Sequence, residues 1–122
     1  MILDSDIIIY SALPENQSLR DFVRSNTPSY SAVSLVEVLG YHNLSDYDAE
    51  YFEDFFESLN MIAISTEIIN GAIKLRQQHK INLGDSLIAA TAIVHRFALV
   101  TNNLKDFSWI ESLELVNLLE NK

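Results

Sequence analysis

The sequence predicts an α/β fold in which a parallel β-sheet has helices on both faces. Short apolar, β-branched runs alternate with longer segments of helical periodicity along the whole chain, as in strand–helix–strand units. The chain has 122 residues, 48% of them hydrophobic, which is enough for one domain with a core and too little for two. Residues 1–122 are therefore predicted to form a single domain.

The N-terminal half is expected to contain two strands and three helices. The predicted elements are a first strand formed by Ile2-Leu3 and Ile7–Tyr10, a helix over 19–24, a strand over 30–33, a helix over 34–41 and an acidic amphipathic helix over 45–59. Pro14 marks a turn. Ser34 is expected to cap its helix, with Glu37 at the spacing of a capping box.

The C-terminal half continues the alternation and supplies the most apolar helix. The predicted elements are a strand over 61–64, a helix capped by Ser65-Thr66, a helix over 87–96 opened by Gly84-Asp85, a strand over 98–100, a polar turn over 101–106 and a strand over 113–116. The helix over 87–96 is apolar nearly all round, so it is expected to lie buried in the core.

Composition limits the functions that are open to the chain. The net charge is 8 − 17 = −9, which argues against binding nucleic acid through a broad basic surface. Cysteine is absent, which excludes disulfides, zinc–thiolate sites and thiol nucleophiles. No apolar run reaches the length of a membrane span and no signal peptide is evident, so a cytoplasmic protein without membrane contact is expected.

Asp4 is the acid whose position is hardest to explain by folding alone. It lies inside an apolar N-terminal run, where an ionised group is costly unless something compensates it. It also stands about where the first strand would end, and ligands of open α/β sheets bind at the carboxyl ends of strands. Asp6 points the same way if the chain stays extended, although a cap or turn role is the simpler explanation for it.

Three other acids have structural explanations that compete with functional ones. Glu37 falls among the apolar residues of its helix, and a capping box and a site role are equally supported. Asp85 begins the buried helix, where a carboxylate stabilises the helix dipole. Asp106 closes the polar turn after the strand over 98–100, in which Thr101 and Asn103 are short polar groups.

Taken as a set, the acids suggest a metal site. The strand-end and helix-start acids can converge on one edge of the sheet. Several carboxylates without cysteine suit a hard divalent cation, Mg²⁺ or Mn²⁺, and clustered carboxylates repel one another unless a cation neutralises them. Such sites activate water and stabilise the departing oxygen in phosphodiester hydrolysis. The candidate set is Asp4, Glu37, Asp85 and Asp106.

Motifs in three parts of the chain carry a family resemblance. They are MILDSDI at 1–7, SAVSLVEVLG at 31–40, and GDSLIAATA at 84–92 followed closely by LVTNNLKDF at 99–107, and the last pair is the most specific. Over nearly its whole length the chain resembles PIN-domain ribonucleases, especially the VapC-type toxins of bacterial toxin–antitoxin pairs. The resemblance implies a three-layer α/β/α PIN-like fold with a central parallel β-sheet.

The resemblance also implies an activity and roles for the acids. It implies a Mg²⁺- or Mn²⁺-dependent endoribonuclease in which activated water cleaves RNA to leave a 5′-phosphate and a 3′-hydroxyl. Metal binding falls mainly to Asp4, Asp85 and Asp106, and Glu37 binds the metal or orients the water. The positions expected to support the metal site are Asp6, Thr101 and Asn103. Asp6 departs from the family pattern, which usually has asparagine there.

The partners follow from the same resemblance, and two alternatives stay open. The expected partners are an RNA substrate, a cognate antitoxin whose tail reaches into the acidic site, and a second copy of the chain in a homodimer. One alternative is a catalytically inactive PIN-like module that only binds a partner. The other is a phospho-receiver signalling domain, which Thr101 and Lys105 loosely suggest, although an acidic helix over 46–57 takes the place of its phospho-accepting strand end.

The charge is distributed unevenly along the chain. Residues 1–60 carry 2 − 11 = −9, and residues 61–122 carry 6 − 6 = 0. Six of the acids lie within 46–57, and about four more are expected at the sheet edge, where a divalent cation would turn them into a phosphate-binding surface. The bases that could guide an RNA backbone to that edge are Arg20, Arg24, Lys74, Arg76, Lys80, Arg96 and Lys105.

Overall fold

The computed structural model describes residues 1–118, in which five short strands alternate with seven helices. The strands are β1 (Ile2–Leu3), β2 (Ser29–Ser31), β3 (Met61–Ile62), β4 (Leu99–Val100) and β5 (Leu115–Val116). The helices are α1 (Ser5–Ser11), α2 (Gln17–Asn26), α3 (Ala32–Leu39), α4 (Asp46–Glu57), α5 (Thr66–Gln78), α6 (Leu83–His95) and α7 (Leu104–Phe107). Residues 119–122 of the predicted single domain lie outside the described part.

The strands form one parallel sheet in the order β3-β2-β1-β4-β5. One core cluster covers one face with side chains of α5, α6 and α7, and a second covers the other face with side chains of α1, α2 and α4. The predicted three-layer α/β/α architecture is therefore confirmed. The register pairs Leu3 with Val100, which sets the next residues, Asp4 and Thr101, side by side at the carboxyl ends of the two central strands.

The predicted burial of α6 is confirmed. Ile88, Ala89, Ala90 and Ala92 are buried in the cluster that α6 shares with α5. Its small side chains let α5 come close, because a Cβ placed on Gly71 of α5 would meet the Ala90 Cβ at 3.3 Å. None of the helices within residues 1–118 is long and apolar enough to cross a bilayer.

The prediction of Ile7–Tyr10 as part of the first strand is wrong, because these residues belong to α1. The Asp4 side chain accepts a hydrogen bond from the Ser5 N–H and begins the helix immediately after β1. Ile7 and Ile8 then face the core from a helix, so burial outweighs the β preference of branched side chains. Asp6 consequently lies in a helical turn and does not continue an extended chain.

Two further boundaries differ from prediction. The helix expected over 34–41 begins earlier, because Ser31 is its cap and accepts a hydrogen bond from Val33 N–H. The capping box between Ser34 and Glu37 is therefore absent. Asp106, predicted in a polar turn, lies in the short helix α7. The remaining predicted helices and strands are present, with ends that shift by a few residues.

A candidate acidic active site at the carboxyl edge of the sheet

Asp4 is fixed at the end of the central strand and is only 3% exposed. One carboxylate oxygen accepts from Ser5 N–H at 2.8 Å, and the other accepts from Thr101 Oγ1 at 2.7 Å. Thr101 Oγ1 in turn accepts from the backbone N–H of Asn103 at 2.9 Å. Asp4 is thus both a helix cap and a rigidly held carboxylate, and Thr101 and Asn103 support it.

Glu37 is held at the same edge by a residue that the sequence did not single out. Ser5 Oγ donates to Glu37 Oε1 at 2.7 Å and lies 2.8 Å from Ser34 Oγ. Because Ser5 has one hydroxyl proton, the Ser34 hydroxyl must donate to Ser5 when Ser5 donates to Glu37. Gly84 makes room on the other side, since a Cβ there would collide with the Glu37 carboxylate. Helices α1, α3 and α6 therefore meet around this carboxylate.

Asp85 lies in the first turn of α6 and forms a reciprocal pair with Asn82. Asp85 N–H donates to Asn82 Oδ1 at 2.8 Å, and Asn82 Nδ2 donates to Asp85 Oδ2 at 3.0 Å. An asparagine three residues before Asp85 has the spacing of an N-terminal helix cap, so the sequence contained a signal for this pair. Burial raises the Asp85 pKa to about 6, with further increases from the charges of Asp4, Asp106 and Glu37. The predicted quartet thus shares one electrostatic environment.

Asp4 and Asp6 form a second, closer group of charges. Burial, followed by the charge of Asp6, raises the pKa of Asp4 to about 7. Burial also raises the pKa of Asp6, and neither of its buried oxygens has a hydrogen-bond partner of good geometry among residues 1–118. The Asp4 carboxyl and the N–H groups of Ile7 and Asn102 lower the Asp6 pKa only in part. Such unpartnered acceptors in a negative site are the groups that a cation satisfies.

The chemistry of these donors fits a hard divalent cation, although their ligand shell is not closed. Within residues 1–118, no group of three or more acidic or histidine side chains is close enough together to hold a metal ion as it stands. Burial, and after it repulsion from neighbouring acids, raises the pKa values of Asp4 and Asp85, and this repulsion opposes closure of a ligand shell. The acids that interact electrostatically at this edge are Asp4, Asp6, Glu37, Asp85 and Asp106.

Two depressions of different character flank the acids. A groove of about 640 Å³ lies between α1, α3 and α4, with exposed apolar side chains of Ile9, Leu13, Tyr41 and Tyr47. Arg20 fixes the loop beside this groove by donating to the carbonyls of Ser11, Leu13 and Pro14. On the opposite side, a cavity of about 250 Å³ is lined by His79, Lys80, Ile81, Asn82, Asp85, Lys105 and Asp106.

The chain is similar to proteins of known family. The PIN domain family model matches residues 1–111. Ribonuclease VapC1 of Rickettsia felis is 47% identical over 51 residues, which span 42% of this chain and only 37% of that relative.

Solved structures match over almost the full length. A toxin–antitoxin complex from Klebsiella pneumoniae has a TM-score of 0.74 at 28% identity, covering 94% of both chains. VapBC2 from Rickettsia felis, bound to a promoter DNA fragment, has a TM-score of 0.83 at 26% identity and covers 95% of this chain and 96% of its own. VapBC from Salmonella typhimurium, at 21% identity and a TM-score of 0.81, shows the same fold.

Proposed function

The chain belongs to the PIN domain family, and from this premise we propose that residues 1–122 form a metal-dependent endoribonuclease, the toxin of a type II toxin–antitoxin pair. The observation that carries the proposal is the electrostatic environment of Asp85, whose pKa is raised by Asp4, Asp106 and Glu37 after burial. Four separate segments of the chain supply these acids. A site that concentrates negative charge repels a phosphodiester, so it can cleave one only when a bound cation neutralises that charge.

The roles of the residues follow from how each is held. Asp4, Asp85 and Asp106 would hold Mg²⁺ or Mn²⁺, with Asp6 as a nearby additional carboxylate. Such a cation, when bound, lowers the pKa of water and neutralises charge on the reacting phosphate. Thr101 fixes Asp4, and Ser5 orients Glu37. Glu37 is exposed and hydrogen-bonded through one oxygen, which leaves the other to position or deprotonate water.

The direct test is cleavage of a labelled RNA by the full chain with Mg²⁺ or Mn²⁺ and with EDTA. We expect cleavage only with metal, and products that carry a 5′-phosphate and a 3′-hydroxyl. Product ends are identified by their sensitivity to a 5′-phosphate-dependent exonuclease. Cleavage that persists in EDTA, or products with a 2′,3′-cyclic phosphate, would contradict the proposed chemistry.

The two alternative functions make different predictions in simple assays. An inactive PIN-like binding module gives no heat or spectroscopic signal when Mn²⁺ is titrated into it. A phospho-receiver forms a stable aspartyl phosphate with acetyl phosphate. The receiver is disfavoured because Asp46–Glu57 forms the amphipathic helix α4, with Phe52 and Phe56 buried and the acids largely on the solvent side.

A cognate antitoxin is the proposed protein partner, and the groove beside Glu37 supports it. Similar structures include a toxin–antitoxin complex and VapBC2. Ile9 is 48% exposed and Tyr47 is 83% exposed, so apolar surface is available for a partner. Glu37 and Asp48 are the charged residues that line the groove. The groove therefore suits an antitoxin segment that has apolar side chains and a basic residue able to reach the acids.

This partner assignment is tested with the product of a short reading frame adjacent to the gene. Ile9→Glu is expected to weaken its binding about tenfold or more, because a charge replaces an apolar contact in the groove. Met61→Glu is the matched control, because Met61 is also 48% exposed but lies on the edge strand β3. Binding is measured by co-purification and calorimetry. Equal binding by the two variants would contradict the groove assignment.

Two further expectations belong to the proposed function. Homodimerisation stays a prediction, for which the exposed Ile69 and Ile73, one turn apart on α5, provide apolar surface. A cytoplasmic location is proposed because an RNA substrate and an antitoxin would both be met there.

A further inference from the structure

The two sides of the acidic site differ in charge. Of the residues that the structure describes, the groove is lined by the carboxylates of Glu37 and Asp48 and by no basic side chain. The cavity on the opposite side places Lys80 and Lys105 beside the acids of α6 and α7. Each phosphodiester of RNA carries a negative charge, so the acids of the groove repel it, whereas Lys80 and Lys105 offset the charges of Asp85 and Asp106 in the cavity. The two sides therefore present different electrostatic environments to an RNA strand.

The other bases within residues 1–118 are engaged elsewhere or lie outside this cavity. Arg20 donates to backbone carbonyls of the loop after α1, and Arg24 forms an ion pair on the surface of α2. Arg96 lies at the far end of α6, roughly 16 Å along the axis from its first turn. Lys74 and Arg76 belong to α5 and do not line the cavity. Of the seven bases named from the sequence as able to guide an RNA backbone, only Lys80 and Lys105 line this cavity.

His79, which lines the same cavity, forms an aromatic pair with Trp109. The rings of His79 and Trp109 stack with centroids 4.4 Å apart and planes 12° from parallel. Trp109 Nε1 donates to the Asp106 carbonyl at 2.9 Å, which fixes the indole next to one of the acids. His79 is exposed and lines the cavity, so its side chain is available to a ligand there. Proteins that bind single strands stack unpaired bases on such rings.

We propose that this cavity is the strand-binding subsite of the nuclease, an inference that rests on the proposed function. The nucleotide next to the cleaved bond places its phosphate between Lys80 and Lys105 and its base on the ring of His79, which is stacked on Trp109. These residues position the strand. The ligand is single-stranded RNA, because a base inside a duplex is not free to stack on a protein ring. The groove on the other side of the acids stays free for the antitoxin.

The test is binding of a fluorescein-labelled, single-stranded RNA of ten nucleotides and mixed sequence. The full chain carries Asp4→Asn, which does not line the cavity, so that the strand stays intact, and a denaturing gel checks this afterwards. Adding Lys80→Gln and Lys105→Gln together is expected to raise Kd about tenfold at low salt. It should also reduce the slope of log K against log[salt] by about 0.7, the value for one lost phosphate contact on a single strand.

A matched control and an internal probe make the result specific. Lys74→Gln with Arg76→Gln removes the same two charges from α5 and is expected to change Kd less than about twofold. Trp109 is the only tryptophan in the chain, so RNA should quench its fluorescence with the midpoint seen by anisotropy. Equal loss of affinity in the two double variants, binding without quenching, or absence of binding would overturn the subsite.

The cleavage assay separates this inference from the proposed function. If the chain with native Asp4 cleaves RNA while the two double variants bind equally well, only the subsite fails. If the chain with native Asp4 does not cleave RNA, the enzyme assignment fails. The comparison of the two double variants then still decides whether the cavity binds RNA.

Discussion

Replacing Asp85 by asparagine is expected to lower the rate of RNA cleavage by about 100-fold or more, with little change in fold. The change removes the carboxylate whose pKa is raised by three of the other acids, and so takes one charge from the centre of the site. Asparagine keeps the shape of the side chain, and the bond from the backbone N–H of residue 85 to Asn82 is unaffected. Initial rates on labelled RNA with Mn²⁺ measure the effect, and circular dichroism checks the fold.

The matched control for this change lies on α4. Asp54→Asn makes the same chemical substitution on an exposed acid of that helix and is expected to leave the cleavage rate within about twofold. The contrast between the two variants separates loss of a site carboxylate from a general change in net charge. A cleavage rate for Asp85→Asn within threefold of the unmodified chain would show that Asp85 is not part of the catalytic site.

The metal-free protein is expected to lose stability as pH rises from 5 to 8. The pKa values of Asp4 and Asp85 are raised by burial and neighbouring charge to about 7 and about 6, so the folded state binds more protons than the unfolded state in this range. Their contribution is fully present below the ordinary carboxyl pKa and is lost as pH rises through the folded values. The expected loss is on the order of a few kcal/mol in total.

Divalent metal should reverse this dependence. Mg²⁺ or Mn²⁺ competes with protons for the same carboxylates, so it should stabilise the fold more at pH 8 than at pH 5. Urea unfolding at several pH values, in EDTA and in MnCl₂, measures both effects. Asp85→Asn should flatten the pH dependence in EDTA. Stability in EDTA that rises from pH 5 to pH 8 would contradict this description of the site.

The sheet and the buried helix were predictable because their signals are local and repeated. The apolar composition of α6 requires burial wherever the helix is placed, and the alternation of strands with helices requires parallel pairing. The end of β1 was not predictable in this way. The branched side chains of Ile7 and Ile8 favour a strand locally. A helix forms instead because Asp4 caps it and because these side chains are buried against α2 and α4.

The acids of the candidate site were predictable from the sequence, but the contacts that hold these acids in place were not. Motif resemblance pointed to the four carboxylates, and three of them, Glu37, Asp85 and Asp106, had a structural explanation when taken alone. The bond between Ser5 and Glu37 joins residues 32 apart in sequence, and the space beside Gly84 exists only once α3 and α6 are packed. The contrast in charge between the groove and the opposite cavity is likewise a property of the folded surface.

The hydrogen bonds of Arg20 have a consequence for how a partner would associate. Its guanidinium donates to the carbonyl of Ser11 at the end of α1 and to those of Leu13 and Pro14 in the loop that follows, so one wall of the groove is already ordered before any partner arrives. The conformational entropy lost on association then falls mainly on the incoming segment. Affinity at this groove should therefore depend on how strongly that segment is pre-organised in isolation. A segment that is helical when free should dissociate more slowly than a disordered one with the same side chains.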